Sequence, residues 1–300
     1  MKFRTIFILF NVVIVASFLF VFLMPFFLLG SAYSLGFWKS NWYLALFFIL
    51  LIGALNAFFL MNRRVFILVE REDWSSLSAY LVDMIFRKRR YRSSYVRLLV
   101  NAYLLQSDVG GIERLEAELG ARRVSLLRRH ALLFGVTRLL RNNSAEAETF
   151  FATYLDAKDV EGREWLRFDY AFSLVLQKRI TDALPYLREG AASRDAVLAL
   201  LAAYFLGSLG AASTSGEERT SLLALSDDTR RRLRKRFPGS RWAKEVERAK
   251  NEVHVVILTK LIDDASRWLL SEEGAASGAA PDASSPASAS PVEPPSPQKA

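Results

Sequence analysis

The sequence predicts an all-α membrane protein, built as an N-terminal two-helix transmembrane hairpin followed by an α-solenoid of helix–turn–helix repeats. Three observations predict it. Residues 1–62 hold no Asp or Glu and only three basic residues, Lys2, Arg4 and Lys39. From Val65 onward apolar residues recur at helical spacing, with no alternation long enough to argue a sheet. Similar residues then return at an offset of 36.

The hairpin occupies 1–64, with helices at about 5–29 and 42–62. The second helix is about 31 Å long at 1.5 Å per residue, which matches a hydrocarbon core of roughly 30 Å. The first is longer and is expected to tilt or to bend at Pro25. Between them Gly30, Ser31, Ser34, Gly36 and Asn41 supply turn chemistry, and Trp38, Trp42 and Tyr43 form an interfacial aromatic belt. Lys2 and Arg4 precede the hairpin and Arg63, Arg64 and Arg71 follow it, against Lys39 alone in the loop. That bias places both termini in the cytoplasm and the protein in the inner membrane as a multi-pass protein. A cleaved signal peptide is the rival reading, but its apolar core of 7–15 residues is far exceeded. Asn11 and Asn56 lie at similar depth and form a candidate intramembrane polar pair.

Residues 65–91 read as a connecting helix, 92–210 as helical repeats, 211–273 as C-terminal helices, and 274–300 as a disordered Ala/Ser/Pro-rich tail. At the 36-residue offset Leu98, Phe134 and Tyr170 superpose, as do Gly111, Ala147 and Ala183, and Leu115, Phe151 and Leu187. Ten turns of ideal helix also span 36 residues, so the turn signals decide. Ser107–Gly111, Asn142–Ser144 and Arg179–Asp182 fall at matching phase. Asn143 with Glu146 has capping-box spacing, and Thr181 is a candidate N-cap. Pro238-Gly239 makes a turn before a helix that Ser240 is expected to cap. That helix, about 241–271, carries a stripe of Trp242, Val246, Ala249, Val253, Val256, Leu261, Ala265 and Trp268.

These blocks resemble the tetratricopeptide repeat. Gly135 with Ala147, and Ala171 with Ala183, hold the family's two small-residue places, twelve residues apart. Phe151 and Leu187 match its large apolar residue four positions later. The segment Arg236-Phe237-Pro238-Gly239-Ser240-Arg241-Trp242-Ala243 is similar to a helix start in envelope-assembly repeat proteins. In outline, a membrane hairpin joined to such repeats resembles the HemY-like proteins. The resemblance implies a concave groove lined by the first helix of each pair, at Val96, Val100, Leu132, Val136, Phe168 and Phe172. Many such repeats hold a peptide carboxylate there with Lys and Asn. All six residues here are apolar, so the groove is expected to take an apolar helix of a partner or the chain's own C-terminal helix.

The chain carries 40 basic and 31 acidic residues, a net +9, which asks what the surplus meets. The densest run is Arg87, Lys88, Arg89, Arg90 and Arg92; others are Arg122-Arg123, Arg128-Arg129 and Arg230–Arg236. Three readings stay open: a solvated cytoplasmic face, anionic lipid headgroups at about 1 kcal/mol per residue, and nucleic acid. The absence of interleaved aromatics or a reading motif argues against the last. With no cysteine and two histidines, disulfides, thiol catalysis and a His-built metal centre are not expected. His130 reads as a surface or interface residue, and His254 has no second ligand at helical spacing. No catalytic, cofactor or metal site is expected. The reading is a non-enzymatic membrane-anchored scaffold for protein–protein interaction, with unknown partners. The alternatives are an accessory subunit of a membrane enzyme, transporter or envelope machine, and a nucleic-acid tether.

Overall fold

The computed structural model of the chain describes residues 3–271. The described residues are helical throughout, with no strand. The Ala/Ser/Pro tail beyond 273 lies outside them. The chain divides into two compact units, one ending at Arg90 and the other starting at Tyr91.

The first unit opens with α1 (Phe3–Ser40) and α2 (Trp42–Glu70). Its backbone stays helical through Pro25 and breaks at Gly30, where φ is +80°. Glycine alone adopts that conformation without steric cost. The bend therefore lies five residues beyond the proline the sequence pointed to. The residues after it are helical, not an extended loop, and they fold back so that Trp38 stacks on Phe22 at 4.4 Å. Ring pairs Phe7–Phe59 (5.6 Å), Phe10–Phe59 (5.4 Å) and Phe18–Phe48 (5.8 Å) fix α1 and α2 antiparallel. Trp42 and Tyr43 are exposed. The expected connecting helix 65–91 is in fact broken: α2 ends at Glu70, α3 (Trp74–Val82) follows, and a π-turn at Asp83–Arg87 closes the unit.

The second unit pairs successive helices: α4 (Ser93–Leu105) with α5 (Val109–Arg122), and, after the short α6 (Val124–Arg129), α7 (Ala131–Leu140) with α8 (Ser144–Ala152). Next come α9 (Arg163–Leu176) with α10 (Ile180–Ala191), then α11 (Ala196–Phe205), a π-turn at Leu206–Gly210, α12 (Ala211–Ser213) and α13 (Gly216–Arg236). The chain ends in α14 (Ser240–Ala249), α15 (Val253–Val256) and α16 (Thr259–Leu270), packed on α11, α7 and α11 respectively. The single C-terminal helix expected from the sequence is thus three. The breaks shift the buried stripe: Val255, Leu258, Ile262 and Leu269 are buried, while Val256 is exposed. Ser240 is the first residue of α14 rather than its cap, and Gly239 at φ +50° makes the turn. Thr181 likewise lies inside α10, whose N-cap is Arg179.

One turn recurs. Glu72, Ser107, Asn142 and Lys178 each have φ between +53° and +63°. In each case the next amide donates to the carbonyl five residues back: Asp73 to Leu68 (3.1 Å), Asp108 to Tyr103 (2.9 Å), Asn143 to Arg138 (3.1 Å) and Arg179 to Leu174 (2.9 Å). This is the Schellman closure of a helix C-terminus. In the first three turns that same residue caps the following helix, its side chain accepting from Ser76 (3.0 Å), Gly111 (2.8 Å) or Glu146 (3.2 Å). Arg179 has no acceptor and pairs instead with Asp182 at 2.9 Å.

None of the four left-handed residues is glycine. An L-residue there costs about 1–2 kcal/mol, against roughly 0.5–1 kcal/mol for the extra freedom glycine gives the unfolded chain. Lys178→Gly is therefore expected to stabilise the second unit by about 0.5 kcal/mol, and Lys178→Val, β-branched in the same conformation, to destabilise it by about 1 kcal/mol. Denaturant melts of both variants check the turn; equal melts would contradict it.

Candidate functional site

The six groove candidates are not on an open surface. Val96, Val100, Val136 and Phe168 are fully buried, Leu132 is 4% exposed and Phe172 9%. The Phe168 ring meets Trp165, Phe172 and Phe205 at 5.8, 6.5 and 6.2 Å. The face is core rather than an open groove: Leu132, Val136, Phe168 and Phe172 share a buried cluster with Trp242, Val255, Leu258 and Ile262 of the C-terminal segment, whose helices α14, α15 and α16 lie against α11, α7 and α11, and Val96 and Val100 are buried outside that cluster.

The small residues stand at helix contacts. Ala147, Ala171 and Ala183 are fully buried, and a Cβ on Gly135 would lie 2.1 Å from the Phe151 ring. Among the described residues no hydrogen bond joins the two asparagines: Asn11 donates to the carbonyl of Phe7 (2.9 Å) and Asn56 to that of Ile52 (3.0 Å). Each amide thus places one of its N–H groups on the carbonyl four residues back on its own helix.

Arg87, Lys88, Arg89, Arg90 and Arg92 are all exposed. Arg87 and Lys88 pair with Asp83 at 2.5 and 2.9 Å, and Arg92 lies over the Tyr95 ring. The hydrogen bond from Lys88, with Arg87 and Arg64 nearby, holds the Asp83 carboxyl below its ordinary range. Most of the other basic runs find partners within the chain. Arg122 pairs with Glu118, Arg128 with Asp159, and Arg129 with Glu161. Arg230 and Arg234 donate to the carbonyls of Ser271 and Leu269 at the end of α16, and Arg232 to that of Ala191 at the end of α10. Cations at those ends answer unpaired carbonyls and the helix dipole.

The feature the sequence did not disclose is a cavity of about 340 Å³ that both histidines of the chain line. Arg97 and Asn101 reach it from α4, His130 and Leu132 from the start of α7, and Glu161 and Trp165 from the entry to α9. Asp195, the cap of α11, and Glu252 and His254 beside α14 and α15 complete the wall. His130 is braced on both nitrogens: Nε2 lies 2.9 Å from Ser93 Oγ and Nδ1 3.5 Å from Glu161. Burial pushes its pKa down, keeping the ring neutral at pH 7. Burial alone would raise the Glu161 carboxyl, but Arg97 and Arg129 hold it below its usual value. Asp195 takes the indole N–H of Trp165 (3.0 Å) and the amides of Val197 and Leu198. The Trp165 ring meets His254 edge-on at 5.0 Å. His254 is 7% exposed, burial lowers its pKa, and its Nε2 has no hydrogen-bond partner among the described residues. Asn101 Oδ1 is also buried without one.

The described residues hold no group of three or more His, Cys, Asp or Glu able to bind a metal. Ser93, His130 and Glu161 stand in the order of a catalytic triad. The wall of the cavity includes the histidine and the glutamate but not Ser93, so a ligand in it meets no nucleophile from that array.

Three helical segments, Phe7–Leu28, Trp42–Glu70 and Ala196–Ser213, are long and apolar enough to cross a membrane, the mark of a membrane protein whose described residues are helical and whose second unit holds a cavity. The chain matches the profile of a family described as an uncharacterised Treponema protein over residues 111–271, and it belongs to that family. An uncharacterised protein of Treponema pallidum (strain Nichols) is 30% identical over 231 residues, covering 75% of this chain and 74% of the relative. No solved structure matches.

A second buried group stands apart from the cavity. Asp169 in α9 is fully buried and neither carboxylate oxygen has a partner among the described residues. Burial raises its pKa well above the ordinary value, so the folded chain keeps the proton. The unfolded chain releases it near pH 3.9. With the folded pKa above the unfolded one, Asp169 favours the fold below about pH 3.9 and loses that contribution as pH rises toward its folded pKa. Asp169→Asn is therefore expected to melt close to the parent at pH 3.5 and above it at pH 8. A difference that stays constant with pH would contradict the protonated carboxyl.

Proposed function

We propose that the protein is a membrane-anchored helical-repeat scaffold, with two helices of the first unit spanning the inner membrane and tetratricopeptide-like pairs on the cytoplasmic side. The recurring turn at Glu72, Ser107, Asn142 and Lys178 carries the repeat reading, because its spacing of 35 or 36 residues is local backbone geometry rather than sequence pattern. The small residues buried at the α7–α8 and α9–α10 contacts support it.

The count of two spans rests on burial. The third apolar segment, Ala196–Ser213, is buried over 67% of its apolar window, whereas windows of the first two are wholly unburied. A helix apolar all round is explained equally by lipid or by a protein core, and α11 has its core. The orientation rests on Arg63, Arg64 and Arg71 against Lys39.

Because the groove is occupied by the chain's own helices, partner contact moves to exposed apolar residues outside it, such as Leu105 (61% exposed) and Leu140 (47%). Arg87, Lys88, Arg89, Arg90 and Arg92 are exposed and, with Asp83 shared by Arg87 and Lys88, keep a positive surplus that can meet anionic headgroups. Single cysteines at Ser40 and Ser94 test the topology, both residues being exposed. An impermeant thiol reagent is expected to label position 40 in intact cells and position 94 only after permeabilisation; the reverse pattern overturns the orientation. Photo-crosslinkers at Leu105 and Leu140 in the native membrane are expected to give discrete adducts. Loss of adducts at both would remove the scaffold reading.

A further inference from the structure

The first unit ends in a short helical return that sorts its charges by position. With α2 as a membrane span, its 29 residues measure about 43 Å, of which a hydrocarbon core takes roughly 30 Å. Counted from Trp42, the core ends near Arg63 and Arg64, the first charges of the helix, and the last turns of α2 stand clear of it. The chain then doubles back. A tight turn follows Glu70, α3 packs against α2, and the Arg64 guanidinium lies 4.9 Å over the Tyr80 ring. Arg64 and Tyr80 are equally far from Glu72 along the chain, so the two helices run antiparallel about that turn.

The π-turn at Asp83–Arg87 therefore comes back to the depth of Arg64. Arg64 is one of the cations, after Lys88 and Arg87, that act on the Asp83 carboxyl. Asp83 in turn pairs with Arg87 at 2.5 Å and with Lys88 at 2.9 Å. The basic run is distant from α2 in sequence, yet the fold brings it to the place where α2 leaves the core.

The two ends of this return carry opposite charge. At the membrane end stand Arg63, Arg64, Arg87, Lys88, Arg89 and Arg90, all exposed, with Asp83 between them. At the outer turn stand Glu70, Glu72 and Asp73 with Arg71. Clustered like charges repel one another, and an opposing charged surface relieves that repulsion. A hairpin facing only water gives no reason for the sorting. An anionic surface at the membrane end attracts that end and repels the outer turn. A soluble polyanion would be met as well by cations at the outer turn, clear of the bilayer, and there acids prevail.

We propose that Arg63 and Arg64 of α2, with Arg87, Lys88, Arg89 and Arg90 folded back beside them, form a binding site for the phosphate groups of anionic phospholipids. The site rests on the reading of α2 as a membrane span, and it needs no protein partner.

The test uses the full-length chain in phosphatidylcholine nanodiscs that contain a minor share of phosphatidylglycerol or phosphatidylcholine with a nitroxide on an acyl chain. The chain has no cysteine, so one fluorophore is placed through Ala79→Cys, exposed beside Tyr80, or through Leu50→Cys, exposed in α2. Labelled phosphatidylglycerol is expected to quench position 79 at least about threefold more than labelled phosphatidylcholine does. The preference is expected to vanish near 1 M salt, where the Debye length is about 3 Å. Glutamine at 87, 88, 89 and 90 together is expected to abolish it. Arg89→Gln alone is expected to weaken it and Arg71→Gln to leave it unchanged, although Arg71 is much the nearer to α2 in sequence. All these positions are exposed, so the fold survives the changes. Equal quenching of position 50 by both lipids reports the span. No quenching there overturns the span and the lipid site with it. Three results overturn the lipid site while the span stands: no preference at position 79, a preference that survives the fourfold change, or equal losses in Arg71→Gln and Arg89→Gln.

Discussion

At Gly135 a methyl group would lie 2.1 Å from the Phe151 ring, so the α7–α8 contact exists only because that position has no side chain. The same limit on approach holds at Gly190, where a Cβ would stand 3.0 Å from that of Ala202 between α10 and α11. Close backbones let a single large residue fill each contact: Leu115, Phe151 and Leu187 are all fully buried. Once the pairs are drawn this tightly, their first helices present a continuous apolar side. That side must be covered, since leaving it in water forfeits roughly 25 cal/mol for every Å². The C-terminal helices cover it, which is why Val255, Leu258, Ile262 and Leu269 are as deeply buried as the residues of α9.

The surplus of arginine follows from the same arrangement. A fold made of many short helices has many unpaired C-terminal carbonyls. Arg230, Arg232 and Arg234 lie on one helix, α13, and reach the ends of α16 and α10. Arg128, Arg129 and Arg97 tie the segment before α9 to the end of α6 and the first turns of α4 through Asp159 and Glu161. These positive runs are thus largely paired within the chain. The exposed run at Arg87–Arg92 differs in that Asp83 is its one carboxylate among the ion pairs described.

Much of this was legible in sequence for stated physical reasons. The charge-free stretches, the alternation of helix and turn, and the small residues at Gly135, Ala147, Ala171 and Ala183 depend on local pattern or on a single contact. The break at Gly30 falls where the sequence placed turn chemistry, but the bend offered at Pro25 does not form, since a proline near a helix's middle can be absorbed and a glycine at positive φ cannot. The C-terminal stripe failed because breaks at 250–252 and 257–258 reset the helical phase. The occupant of the groove was left open between a partner's helix and the chain's own, because an apolar face looks the same whichever covers it. The cavity had no sequence signal at all. His130 and His254 are 124 positions apart, and only the return of α15 onto α7 brings both into one wall. The turn at Glu72 was overlooked for a simpler reason, since it precedes the region where the repeat pattern in side chains begins.

The account stands or falls on whether α14–α16 are part of the core or a detachable cover. Amide hydrogen exchange of the full-length chain reads this directly, because protection reports the free energy of opening for each segment. If Trp242, Val255, Leu258 and Ile262 are core, the amides of α14 and α16 exchange at the same slow, cooperative rate as those of α9 and α11. Exchange of α14–α16 that is orders of magnitude faster, with α9 and α11 still protected, would contradict the account and return the first-helix face to the role of an open groove.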